Sequence, residues 1–272
     1  NEPDQRVLSL MNQESRSLIP DDFTLSPSSL NTYESCPLKF KFQYVLRIPT
    51  MDKSFFQKGT AIHKVIERAT AEMAEGKEPD ADRLISILHE CWKPQAYDSE
   101  TVAEQSKVSA EESLLNFLEW KETNQNRVLE TEKSFTYPLN LPNGKRWIVK
   151  GRIDRIEEEK GEMVVIDFKS GKSRIAKKDI PLDIQLNIYA MALQMMNGKL
   201  PKRASLVYLE GDRVKQVDYF PTEQSIGAFR EKLDGLVQAI IDERFDPTPG
   251  YMECRFCDYG GLCPGKEKGD GE

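Results

Sequence analysis

The chain has 272 residues, 39% hydrophobic and 31% charged, enough for one substantial buried core. No apolar run approaches the roughly 20 residues of a bilayer-spanning helix, so a membrane-embedded class is not expected. A net charge of −7 excludes a uniformly basic nucleic-acid binder, yet it leaves room for a local basic surface, which is what phosphate contacts require.

The first 25 residues are polar and begin without Met, and they read as the leader or linker of a processed or excised piece. Ser26-Pro27 then supplies a capping residue and a proline for the first turn of a helix. Helical periodicity continues through Ser54 to Gly76, Asp80 to Trp92 and Val102 to Asn126. Three strands follow, the last two joined by a turn at Glu158-Glu159-Lys160-Gly161. A helix then ends at Asn197-Gly198. Ala204 to Leu209 and Val214 to Phe220 form a strand pair around Gly211-Asp212. A last helix from Thr222 to Arg244 precedes the breaker Asp246-Pro247-Thr248-Pro249-Gly250.

The chemistry concentrates on the hairpin. Met163 to Lys169 is apolar and β-branched until Asp167-Phe168-Lys169, and strand alternation turns Asp167 and Lys169 to one face and Phe168 to the core. On the preceding strand Trp147, Val149, Gly151 and Ile153 share one face, and Lys150, Arg152 and Asp154 share the other. Both carboxylates can therefore converge on one polar surface. Hard cations such as Mg2+ or Mn2+ favour such oxygens, and a lysine beside them can offset charge building on a phosphoryl group. Alone, an Asp-x-Lys at a strand end is usually a solvated ion pair, so the other polar positions matter. Gln185 and Tyr189 lie four apart on one helix face, over an apolar stripe of Ile184, Ile188, Met191, Ala192 and Met195. His63 follows Gly59-Thr60-Ala61-Ile62 on the helix upstream. Glu132, in the strand before the hairpin, is not separable from Glu130 on the same strand face.

In this order, His63, Gly151-x-x-Asp154, Asp167-x-Lys169 and Gln185-x-x-x-Tyr189 resemble the PD-(D/E)xK nuclease superfamily, and within it the RecB-like branch that carries an iron–sulfur cluster. The resemblance implies an α/β restriction-endonuclease-like core, a central mixed sheet flanked by helices. It implies metal binding by His63, Asp154, Asp167 and the Phe168 carbonyl, a catalytic Lys169, and a site and DNA organised by Gln185 and Tyr189. On this reading one nuclease domain spans 26–272, with a helical lobe at 54–126 over the cleft, a catalytic core at 127–220 and a C-terminal helix and cysteine segment at 221–263.

Of five cysteines, Cys254, Cys257 and Cys263 cluster as C-x2-C-x5-C and Cys36 stands far upstream, while Cys91 reads as a small buried hydrophobe in a helix. With no recognisable secretory signal, a metal site is a better reading than disulfides, and spacing leaves zinc and an iron–sulfur cluster open. The resemblance favours [4Fe–4S], with one cysteine before the nuclease core and three after it. Such a cluster would join the N- and C-terminal segments and act structurally.

The basic stretches beside the hairpin, Lys145, Arg146, Lys150, Arg152 and Arg155, then Lys169, Lys172, Arg174, Lys177 and Lys178, are the expected phosphate-facing surface. Tyr33, Phe40, Phe42, Tyr44, Phe55 and Phe56 are candidates for base stacking, though most are expected in the core. The expected function is a Mg2+- or Mn2+-dependent intracellular deoxyribonuclease, an exonuclease on single-stranded DNA in recombination or repair, linked to a helicase in the same polypeptide or complex. The rivals are a stand-alone CRISPR-adaptation nuclease of the same branch, a non-catalytic DNA-binding scaffold, and a zinc-stabilised interaction domain.

Overall fold

The computed structural model describes residues 17–50, 54–141, 146–171, 174–176, 178–250 and 254–265, with side chains from residue 57 onward in the second segment. Its main elements are β1 (Thr24–Leu25), α1 (Pro27–Ser35), α2 (Pro37–Phe40), α3 (Ser54–Ala74), α4 (Ala81–Cys91), α5 (Glu100–Thr123), β2 (Arg127–Pro138), β3 (Ile148–Glu159), β4 (Glu162–Lys169), α6 (Ile184–Asn197), β5 (Arg203–Tyr208), β6 (Lys215–Tyr219) and α7 (Glu223–Ile241). They divide between a larger unit, 50–137 with 149–231, and a smaller one, 1–49 with 138–148 and 232–272.

The larger unit is built on a mixed sheet in the order β2–β3–β4–β5–β6. β3 and β4 are antiparallel, with Arg155 opposite Ile166 and Glu159 opposite Glu162. Their turn uses Lys160 and Gly161, both at positive φ (55° and 85°), the primed geometry that matches strand twist. β4 runs parallel to β5, with Asp167 beside Leu206, and such a pair needs a crossover. α6 supplies it. Asp183 caps its N-terminus by accepting the Leu186 amide at 2.8 Å, and Gly198 at φ +77° ends it.

Helices lie on both faces of this sheet. α3, α4 and α5 bury Ile62, Val65, Leu84, Ile87, Leu88, Leu114 and Phe117 against Ile166, Phe168, Val207 and Leu209. Phe168 stands edge-on to Phe117 and Trp120, with centroids 5.5 and 5.2 Å away. The helices from 54 to 123 thus form one layer of the sheet's own core. Asp167 and Lys169 point to the opposite face, where Gln185 of α6 meets Lys169. Rather than carrying a single stripe, α6 is buried at every position from Ile184 to Leu193 except Gln185, which is half-buried, and Met195 is exposed. A helix apolar on nearly all sides belongs inside a fold, and that places Gln185 and Tyr189 in the interior.

In the smaller unit, the Arg146 and Ile148 amides donate to the Asp21 and Phe23 carbonyls beside β1, and Ser26 and Ser29 form a reciprocal cap on α1. Phe23, Tyr33, Phe40, Trp147 and Phe245 make an aromatic core, with Phe40 stacked on Phe245 at 6.3 Å. Tyr33 and Phe40 are therefore packing residues. Tyr44 lies against Phe40 and Phe42 against Tyr259, while the Phe55 and Phe56 side chains are outside the described residues.

Candidate functional site

The β3–β4 ladder ends at Arg155 and Ile166, and one residue further the side chain of Asp154 replaces a ladder carbonyl: its Oδ2 accepts the Phe168 amide at 2.9 Å. Asp154 is thereby fixed at the strand end. The same oxygen lies 3.5 Å from His63 Nδ1, so α3 delivers the imidazole to the carboxylate. Glu132 completes the group. Among the described residues, His63, Glu132 and Asp154 form a set whose ligand atoms all lie within 4.8 Å of one another.

Glu132 comes to this place through a backbone distortion. Its φ of +52° lies in the left-handed region, uncommon for a residue with a side chain, and it interrupts the pleat of β2. Glu130, two residues earlier, therefore stays exposed and pairs with Lys133, whereas Glu132 turns inward and pairs with Arg152. Such strain persists where surrounding structure holds it, commonly at functional sites.

Asp167 stands apart from that tight group. Its buried Oδ2 is paired with Lys169 Nζ 2.7 Å away, and Glu132 Oε2 is likewise buried against the Arg152 guanidinium. Lys169 donates to Gln185 Oε1 at 2.5 Å, Gln185 to the Tyr189 hydroxyl at 2.6 Å, and Tyr189 to the Arg152 carbonyl at 2.8 Å. The chain of four links the lysine to β3, and holds its ammonium in one position. The two acids foreseen on the hairpin thus face different partners, Asp154 with His63 and Asp167 with Lys169.

Electrostatics follow from burial. Removal from water pushes the Asp154 carboxyl well above the usual carboxylate range, and the charge of Asp167 adds to that push. Burial also raises Glu132, against the pull of Arg152. It lowers the His63 imidazole, partly opposed by Asp167 and by a hydrogen bond with the Phe168 backbone. For Lys169, burial disfavours the ammonium, but Asp167 outweighs it and the pKa ends above the ordinary lysine value. The site is therefore a set of acids held together at electrostatic cost, the condition a bound cation relieves.

A cleft of about 540 Å³ opens over this group, lined by Gly59, Thr60, His63, Lys64, Glu67, Glu132, Arg152 and Ser170. Gly59 allows the close approach: a Cβ there would sit 2.9 Å from Ser170 Oγ.

The expected basic surface is only partly realised. Arg155 is buried, with its Nε 2.6 Å from Glu157 Oε1 and its guanidinium over the Trp120 ring, so it cannot meet phosphate. Glu157 is fully buried and accepts from Asn124 and Asn126 as well. Arg155 and Glu157 both continue the β3 face of Val149 and Ile153, which alternation turns to the core, so their position in the strand and not their charge reports their burial. Arg152 is engaged by Glu132, Lys150, Arg174 and Lys178 are exposed, and Lys145, Lys172 and Lys177 lie outside the described residues.

In the smaller unit Cys36, Cys254, Cys257 and Cys263 line one recess of about 100 Å³ together with Lys39 and Pro247. The Gly250 amide points at Cys254 Sγ, 3.4 Å away. Cys91 is remote from these in sequence and packs beside the core of the larger unit.

A mixed sheet with helices on both faces, carrying two strand acids and a lysine, is the arrangement of a phosphodiester-cleaving core. Residues 24–264 match the family model of the PD-(D/E)XK nuclease superfamily, and the chain belongs to that superfamily. It is similar to the Gene 69 protein of Mycobacterium phage L5, 24% identical over 88% of this chain and 95% of that one. Over 65% of its length it is 24% identical to an ATP-dependent helicase/deoxyribonuclease subunit of Carboxydothermus hydrogenoformans, of which the match spans 19%. A crystal structure named as a candidate exonuclease from Eubacterium rectale aligns at a TM-score of 0.47 and 13% identity, over 87% of this chain and 88% of that one.

Proposed function

We propose that this chain is a divalent-metal-dependent deoxyribonuclease that trims single-stranded DNA, with His63, Asp154, Asp167 and the Phe168 carbonyl at the metal and Lys169, Gln185 and Tyr189 as its catalytic apparatus. The observation that carries the reading is the convergence of His63, Glu132 and Asp154 beneath an open cleft, with Asp167 and Lys169 alongside. The donor set fits Mg2+ or Mn2+: mostly carboxylate oxygen, with Asp167 Oδ2 and Glu132 Oε2 buried and each paired with one cationic side chain, Lys169 and Arg152. Glu132 joins the metal set on this geometry. His63, Glu132, Asp154 and Asp167 would hold such a cation, which would supply Lewis-acid polarisation of a phosphoryl oxygen and of an attacking water. Lys169, fixed by Asp167 and Gln185, supplies positive charge where negative charge grows on the phosphate, and needs no rearrangement to do so. Tyr189 keeps Gln185 in place from behind.

The four thiols line one recess and would suit an iron–sulfur cluster, the group that the order of one cysteine before the core and three after it favours over zinc. A [4Fe–4S] cluster would stabilise the smaller unit. The similarity to a helicase/deoxyribonuclease subunit supports work beside a DNA motor, in repair or recombination inside the cell.

The test uses end-labelled single- and double-stranded DNA, with Mg2+, Mn2+ or chelator, and an Asp167→Ala control. Metal-dependent shortening of the single strand that the variant lacks supports the proposal; a metal-independent or variant-insensitive activity would sink it. Brown colour in anaerobically purified protein tests the cluster, and zinc without iron would refute it.

A further inference from the structure

A second recess, of about 100 Å³, adjoins the cleft along α3. It is lined by Gln57, Thr60, Lys64, Trp92, Lys93 and Tyr97 among others, and Thr60 and Lys64 line the cleft as well. Trp92, which follows α4, and Tyr97, held by its amide to the Pro94 carbonyl at 3.1 Å, stack at 5.2 Å with ring planes 21° apart. Tyr97 is only 9% exposed, and its hydroxyl is sealed from solvent without a hydrogen-bond partner. A buried polar group left unpaired in a native fold calls for an explanation, and a ligand acceptor is one. Burial pushes this phenol up to about 12, so it remains a neutral donor at physiological pH. Lys64 and Lys93 are exposed at the rim and make no ion pair among the described residues.

We infer that the Trp92–Tyr97 recess is a nucleobase-stacking subsite, holding one base of a single strand beside the active-site cleft. A nucleotide offers what the recess can use: a flat ring for the indole, a base carbonyl acceptor for the Tyr97 hydroxyl once the base displaces the side chains that now cover it, and a phosphate for the two ammonium groups. The inference deepens the nuclease reading and rests on it for the identity of the strand. The subsite adds grip on unpaired bases, which a duplex keeps stacked, and so favours single strands.

The experiment compares wild type, Trp92→Leu and Tyr97→Phe. Binding of labelled oligothymidine is measured by anisotropy in chelator, where no cleavage occurs, and KM and kcat are then measured with Mn2+. Trp92→Leu should weaken binding about tenfold and Tyr97→Phe about threefold, as expected for loss of one stacked base or one hydrogen bond. KM should rise by similar factors while kcat holds within about twofold. A strand of abasic sites should bind all three proteins alike. Tyr97→Phe should not lower the melting temperature, because it removes only an unpaired hydroxyl. Equal affinity of all three proteins for oligothymidine, or a loss matched by lower melting temperature in both variants, overturns the subsite. Trp92-dependent binding by a wild type that cleaves nothing would retain the subsite and remove the nuclease reading; a wild type that neither binds nor cleaves removes both.

Discussion

Lys169→Met separates the two tasks of the lysine. The substitution keeps the aliphatic stem and removes the ammonium, which leaves Asp167 Oδ2 buried without its ion-pair partner. Breaking a fully buried pair costs about 3–5 kcal/mol; Lys169 keeps roughly a third of its side chain exposed, and screening reduces the expected loss to about 2–3 kcal/mol. For a chain of this size that is a fall in melting temperature of roughly 5–10 °C. The stabilising contribution belongs to a group whose pKa is raised by folding. It is thus whole at neutral pH and fades only as pH rises above the ordinary lysine value and through the raised one. In the Asp167→Asn/Lys169→Met double variant the uncompensated charge is gone, and most of the lost stability should return, a coupling of about 1–3 kcal/mol. Cleavage should stay about 10²–10³-fold down or lower in both, as for loss of a preorganised electrostatic group. Calorimetric melts in chelator, paired with a single-turnover cleavage assay, read both quantities. A single variant as stable as wild type, or a double variant no more stable than the single, would refute the buried pairing and with it the positioned ammonium.

Other perturbations probe the rest of the site. Because burial and Asp167 raise the Asp154 carboxyl, its contribution to metal-free stability is present in acid and is lost as pH rises through the raised value. Melting temperature in chelator relative to Asp154→Asn should therefore fall from about pH 4 upward, whereas added Mn2+ should stabilise wild type more as pH rises; parallel curves for the two proteins would refute this. Arg155→Ala leaves Glu157 buried beside two asparagines and should cost about 3–5 kcal/mol by urea melts, with no separate loss of DNA affinity in protein that remains folded. Cys254→Ala should lose any bound iron, lower the melting temperature and weaken DNA binding, and unchanged values would remove the structural role of the four thiols.

Local chemistry made much of this molecule readable. Ser26-Pro27, Lys160-Gly161 and Asn197-Gly198 mark a helix start, a hairpin turn and a helix end through backbone requirements that neighbouring residues meet by themselves. Alternation along β4 put Asp167 and Lys169 on one face, and a four-residue spacing put Gln185 and Tyr189 together, since both periods are properties of a single element. Residues at the meeting of several elements were less legible. Alternation treats Glu130 and Glu132 alike, and it takes the left-handed backbone at Glu132 to part them. Arg155 and Glu157 fall by alternation on the face of Val149 and Ile153, and both are buried there as an ion pair that their charge alone would place at the surface.

Sequence thus determined the elements, their polar faces and the kinds of side chain available for phosphodiester chemistry. Only the tertiary structure decided that Asp154 belongs with His63 and Glu132, and that Trp92 stacks on Tyr97 beside the cleft. The physical reason is one of range. A strand or helix sets the direction of its own side chains within a few residues, but which groups meet depends on register, crossover and packing among segments far apart in the chain.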